Sequence, residues 1–234
     1  MSAHVTGLDK DRLAPRHYTA FDRALLAVSI LAGGAYLATT GLRPYAGSVV
    51  IKALAVAPLA FIAFNLARSR QGVLLGVALA FSSLGDIFLG LDRESMFVYG
   101  LGSFLVAHLF YIALFARHLS RPLAIKRWQT VAVALVVAYS GVMMAWLVAD
   151  IGGLVAAVAA YMLAITVMVS VSVLANFGSR RIAAGALLFL LSDSLIAVGK
   201  FKTPVLFGAY LVWATYYAAQ LMIATGYLKN RIER

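Results

Sequence analysis

Leu79-Ala-Phe-Ser-Ser-Leu-Gly-Asp86-Ile-Phe-Leu places an acid inside an apolar run, and Gly185-Ala-Leu-Leu-Phe-Leu-Leu-Ser-Asp193-Ser-Leu-Ile does so again. Apolar runs of about 17–25 residues cross a bilayer as helices. An ionisable group at the centre of such a helix costs about 2.5–3.5 kcal/mol on insertion scales. It persists where the bundle interior, a partner or water receives it. Two such acids in one chain make a candidate functional site.

The rest of the chain fits that reading. Of its 234 residues, 63% are hydrophobic and 12% charged, against about 45–50% apolar in ordinary globular domains. The expected class is an all-α, polytopic integral membrane protein. The first residues are polar and mixed in charge, without the pattern of a cleaved leader, so the first apolar run is expected to be a retained helix. There are no cysteines, which excludes thiolate catalysis, disulfides and cysteine-ligated metals. The net charge of +11 is better explained by basic loops meeting lipid headgroups than by nucleic acid, which has no polar domain here to bind.

Eight apolar runs are long enough to span: 24–41, 45–66, 72–91, 96–116, 129–148, 152–175, 182–199 and 204–228. They make a single transmembrane domain, 24–228, between an N-terminal segment 1–23 and a tail 229–234. Short connections predict antiparallel sequence neighbours; only 117–128 forms a longer loop. Fifteen of the twenty Lys and Arg residues fall on one side: Lys10, Arg12, Arg16, Arg23, Arg68, Arg70, Arg117, Arg121, Lys126, Arg127, Arg180, Arg181, Lys229, Arg231 and Arg234. Arg43, Arg93, Lys200 and Lys202 fall on the other, with Lys52 inside the second helix. The positive-inside rule then puts both termini in the cytoplasm.

At about 1.5 Å per residue, Asp86, Asp193 and Lys52 all lie some 8–10 Å below the outer boundary. A lysine between two aspartates is the expected satisfied cluster. His108 and Tyr111 share a helix face, extended by Phe104 and Phe115; Tyr217 and Gln220 share another. Ser82 precedes Asp86 by one turn. Together these residues describe a pocket with a polar top and an aromatic, apolar body, suited to an amphiphile. Structural readings stand beside the functional ones. The three charges can be a purely structural ion cluster, His108 a core histidine, and Tyr217 with Gln220 interhelical glue. Trp128 and Trp146 fit an interfacial belt, and Asn65 with Arg68 a helix end at the inner boundary. Two Asp and one His are a thin ligand set, so no metal and no cofactor is expected.

Ser82-x-x-Gly85-Asp86-x-x-Leu89, His108-x-x-Tyr111, Gly185-Ala-x-x-Phe189-x-x-Ser192-Asp193 and Tyr216-Tyr217-x-x-Gln220, taken in order, resemble the YhhN family, which includes membrane lysoplasmalogenases. Lys52 matches a lysine of its second helix, although the following proline comes late, at Pro58. The resemblance covers about 24–228. It implies an eight-helix enzyme of a bacterial inner (cell) membrane whose lysophospholipid substrate is cut at the vinyl ether bond. The products would be a fatty aldehyde and glycerophosphocholine or glycerophosphoethanolamine. For such a reaction Asp86 and Asp193 are the expected catalytic pair, with Lys52, Ser82, His108, Tyr111, Ser192, Tyr217 and Gln220 in support.

The residues suit that chemistry. Vinyl ethers hydrolyse when a proton is delivered to the β-carbon, giving an oxocarbenium ion that water captures. One acid must hold a proton and the other must be ionised. Two like charges in one apolar layer do not both form readily, while Lys52 favours the carboxylate nearer to it. Glycosidases divide a carboxyl pair in a comparable way. His108 and Tyr111 can orient water or the glycerol hydroxyl, and Arg43 can hold a phosphate at the mouth. Two other classes also use buried acids. A small-molecule or proton-coupled transporter would employ the same Asp, Lys and His residues, but no internal repeat is visible. An intramembrane aspartyl protease would share Gly85-Asp86, but its partner motifs are missing.

Overall fold

The computed structural model describes residues 18–66, 70–92 and 94–232, with side chains through 229. Most of the N-terminal segment, with Lys10, Arg12 and Arg16, lies outside the described residues, as do Arg68, Arg93, Arg234 and the side chain of Arg231.

Among the described residues the fold is all helical, with eight α-helices: α1 (Ala20–Ala38), α2 (Ser48–Leu66), α3 (Arg70–Leu91), α4 (Phe97–Ala116), α5 (Arg127–Ile151), α6 (Val155–Leu174), α7 (Arg181–Phe201) and α8 (Gly208–Ile232). Each overlaps one apolar run read from the sequence. Among the described residues six segments are long and apolar enough to cross a membrane, one of them running 127–174 through both α5 and α6. α8 is not among them, because Tyr210, Tyr216, Tyr217 and Gln220 lower its hydropathy. The exterior is apolar: Leu31, Phe61, Leu135, Val142 and Leu163 are all well exposed. An apolar surface that extensive suits lipid rather than water.

Local chemistry sets the helix ends. Thr19 and Asp22 form a reciprocal capping box at the start of α1, satisfying orphan backbone donors. Asn65, from the end of α2, donates to Asp22 at 2.9 Å, so its partner is a helix-start carboxylate. Between α3 and α4, Asp92 accepts from the Ser95 hydroxyl and from the backbone N–H groups of Glu94 and Ser95. Those bonds, the Ser95 hydroxyl first, hold its carboxyl below the usual range. α5 turns back into α6 at Gly152, whose φ of 62° is cheap only for glycine.

Packing follows chain order with one break. α1–α2, α2–α3, α3–α4, α5–α6, α6–α7 and α7–α8 are neighbours, and α8 closes back on α1 and α2. α4, however, packs against α6. The longer loop after α4 lets α5 sit outside, where it covers α6 and α7. Glycines permit the closest approaches. A Cβ on Gly85 would meet the Phe104 ring at 2.6 Å, and one on Gly185 would meet the Ala219 carbonyl at 2.9 Å. The glycines of both acid-bearing motifs therefore bring α4 onto α3 and α8 onto α7.

Candidate active site

Asp86 lies near the C-terminal end of α3, Asp193 on the last turns of α7 and Lys52 on the first turns of α2. Counting residues to the helix ends places them about 6–12 Å inside that end of the bundle. The depth reading thus brings three helices to one layer. All three side chains line a cavity of about 250 Å³, together with Tyr36, Arg43, Phe104, Trp213 and Tyr216.

The charges are arranged differently from a lysine held between two acids. Lys52 Nζ is 2.9 Å from Asp86 Oδ1 and also reaches the Asp86 carbonyl at 3.4 Å. Among the described residues it makes no ion pair with Asp193. Trp213 carries Lys52 over its ring at 5.9 Å and is itself fixed by donating to the Gly33 carbonyl at 2.9 Å. Among the described residues the other oxygen of Asp86 is buried without a hydrogen bond of ordinary geometry, and Tyr216 lies beside the carboxyl group.

Asp193 has other company. The Tyr161 hydroxyl, from α6, donates to Asp193 Oδ2 at 2.6 Å. His108 Nε2 stands 4.0 Å from the same oxygen. His108 is fully buried beside the Phe104 backbone, and among the described residues neither ring nitrogen has a hydrogen bond of ordinary geometry. Its ring meets Tyr161 edge-on at 5.1 Å and leans on Phe189 at 4.8 Å. One acid is thus ion-paired; the other is hydrogen-bonded to a phenol among aromatic rings.

The remaining sequence candidates scatter around this centre. Tyr111 donates to Gln220 Oε1 at 2.6 Å, a buried α4–α8 bond. Ser82 is buried beside Tyr111 and does not line the cavity. The Ser192 hydroxyl donates to the Val212 carbonyl at 3.0 Å, tying α7 to α8. Tyr217 faces α1: its hydroxyl is 3.0 Å from Ser29 Oγ, and its ring fills the place a Cβ on Gly33 would occupy. It does not share the Gln220 environment that helical spacing suggested. The face toward the cavity belongs to the preceding residue, Tyr216. Arg43 donates to the Tyr36 hydroxyl at 2.5 Å and the Thr40 carbonyl at 3.1 Å. Among the described residues it has no acidic partner.

Three residues at the centre were not singled out from sequence: Tyr161, Trp213 and Tyr216. Tyr216 did stand in the quoted motif. Nothing local distinguishes Tyr161 or Trp213 from ordinary packing aromatics, because their roles arise from helices remote in sequence. Among the described residues no group of His, Asp and Glu can hold a metal.

A second, smaller cavity of about 50 Å³ lies between α4, α6 and α7. It shares Leu89, Phe104, Asp193 and Ile196 with the first. Its other walls are apolar, and its remaining polar groups are engaged: Tyr161 with Asp193, and Ser194 with the Leu190 carbonyl.

Comparison with known proteins gives this site a context. The "Lysoplasmalogenase" of Mycobacterium bovis is 32% identical over 175 residues, covering 74% of this chain and 66% of that protein. "Lysoplasmalogenase TMEM86A" of Bos taurus is 33% identical over 172 residues, 66% of this chain and 65% of its own length; the Homo sapiens protein of that name is 32% identical over 174. The chain spans just under two thirds of the length of these relatives. No solved structure matches. The model of the YhhN family matches residues 47–227, a stretch that holds Lys52, both aspartates, Tyr161, Trp213 and Tyr216. This chain belongs to the YhhN family.

Proposed function

We propose that the protein is a membrane-embedded hydrolase of lysoplasmalogens, cleaving the vinyl ether bond to release a fatty aldehyde and glycerophosphocholine or glycerophosphoethanolamine. The observation that carries this reading is the unequal pair of acids in one cavity, Asp86 against Lys52 and Asp193 against Tyr161. Relatives named lysoplasmalogenase support it. In this reading all eight helices span the membrane, both termini are cytoplasmic, and the cavity opens toward the outer side.

The geometry suggests a division of labour. Asp86, 2.9 Å from the ammonium of Lys52, is the ionised member. Asp193, in apolar surroundings, is the member that holds the proton. It delivers that proton to the β-carbon of the vinyl ether. The double-bond electrons form the new C–H bond, and a lone pair of the ether oxygen completes the oxocarbenium ion. The Asp86 carboxylate faces the developing positive charge. Water adds to the α-carbon and returns a proton to Asp193. The hemiacetal hydroxyl proton then passes through Asp86 to the glycerol oxygen as the C–O bond breaks. One water is consumed, and no other reactant is needed. Tyr161 holds Asp193 in place with His108 beside it, and Arg43 meets the phosphate at the mouth.

Incubation of the purified protein with vinyl-ether, alkyl-ether and ester lysolipids tests the reading. Aldehyde is expected from the vinyl ether alone. Release of fatty acid from the ester, with no aldehyde from the vinyl ether, would refute it.

A further inference from the structure

The two cavities differ in chemistry and join at Asp193. The larger one holds Arg43, Lys52 and Asp86. The smaller one holds no charged group except Asp193 itself. A lysolipid is divided in the same way, with a phosphate at one end and a hydrocarbon at the other. In the larger cavity Lys52 is already paired with Asp86, whereas Arg43 has no acidic partner among the described residues and is available to a phosphate. In the smaller cavity the hydroxyls of Tyr161 and Ser194 are already bonded and every other wall except Asp193 is apolar, so beyond Asp193 an apolar occupant gains most by entering.

We propose that the cavity between α4, α6 and α7 is the subsite for the hydrocarbon chain of a single-chain lipid, receiving the carbons nearest the ether. The proposal rests on the lysolipid hydrolase reading for the reaction, but not for binding. It fixes the direction of the substrate. The headgroup lies toward Arg43, the ether between the two acids and the chain beyond Asp193. The chain-side carbon, which takes the proton, then falls against Asp193. Leu101 of α4, Met162 of α6 and Ala197 of α7 form walls of this subsite. With only about 50 Å³ available, it grips the first few carbons and is sensitive to small changes of wall volume.

The test measures binding and turnover separately on the full-length protein in detergent. Binding uses non-hydrolysable alkyl-ether lysophosphocholines with a long chain and, as the short-chain ligand, with a single methyl group that leaves the subsite empty. Ala197→Phe, which fills the subsite, is expected to weaken the long-chain ligand at least 10-fold and the short-chain one less than 2-fold. Met162→Ala, which enlarges it, is expected to change the long-to-short ratio by 3-fold or more while keeping the fold. Leu187→Phe, on the exposed face of α7, serves as a control with an unchanged ratio. Equal effects on both ligands in Ala197→Phe and Met162→Ala would overturn the proposal. So would transfer of the chain dependence to Val212→Phe, in the larger cavity. Turnover of alkenyl lysolipids on the same samples separates the two ideas. Chain-dependent binding without aldehyde release would refute the hydrolase reading and leave the subsite standing.

Discussion

The Tyr161 hydroxyl donates to Asp193 Oδ2 at 2.6 Å, which joins α6 to the charged layer built by α2, α3 and α7. The bond restrains a carboxyl whose other cavity neighbours are mostly apolar. Tyr161→Phe keeps the ring and removes the donor. It is expected to lower kcat about 10–100-fold, within the range of a positioned proton-transfer group, with a smaller effect on KM. Steady-state kinetics of aldehyde release checks this, together with the pH profile, which a purely structural tyrosine would leave in place.

Lys52→Met leaves Asp86 buried without its counter-charge. Breaking a buried ion pair from one side costs about 3–5 kcal/mol. A lower unfolding temperature in detergent is expected, along with loss of aldehyde release of 10-fold or more. Lys52→Arg keeps the charge and is expected to recover part of the stability. Equal unfolding temperatures for Lys52→Met and the wild type would show that the pair contributes nothing.

Gly185→Ala puts a Cβ 2.9 Å from the Ala219 carbonyl. A backbone neighbour cannot rotate away, so α7 and α8 must separate. Overpacking of this kind costs about 1–3 kcal/mol, read as a fall in unfolding temperature. Asp193 shares α7, so activity is expected to fall as well. Gly141→Ala has open space around it and is expected to be silent in both assays.

Tyr217→Phe and Ser192→Ala test how far the site extends. Tyr217 bonds Ser29 of α1, and Ser192 bonds a backbone carbonyl of α8. Each removal costs about 0.5–1.5 kcal/mol, the net worth of a typical hydrogen bond. Activity is expected to remain within 2–3-fold of wild type. A loss of 100-fold in either would place that hydroxyl in the reaction.

Much of this was legible in the sequence, for a physical reason. A run long and apolar enough to cross a bilayer folds as a helix, so each of the eight runs overlaps one of the eight described helices, and a buried acid in such a run is costly enough to stand out. The layer shared by Lys52, Asp86 and Asp193 follows from helical rise alone. Side-chain direction was harder. Neighbouring tyrosines at 216 and 217 point about 100° apart on a helix, and a one-residue change of face exchanges the cavity for α1. The partner of each charge depends on helix rotation, which no residue count supplies, so Lys52 was placed between two acids when it pairs with one. Tyr161 was invisible because its direction depends on the rotation of α6 against α7, and its ring neighbour His108 comes from α4 through a non-sequential packing that the long loop after α4 allows.

The most direct measurement is aldehyde release from a vinyl-ether lysolipid in D₂O by wild type, Asp86→Asn and Asp193→Asn, each purified and shown to be folded. The wild type is expected to yield aldehyde carrying one deuterium at the carbon next to the carbonyl, the mark of proton delivery to the β-carbon. Both variants are expected to fall by at least about 100-fold. Near-wild-type release by either variant, or aldehyde without that deuterium, would contradict catalysis by the two aspartates.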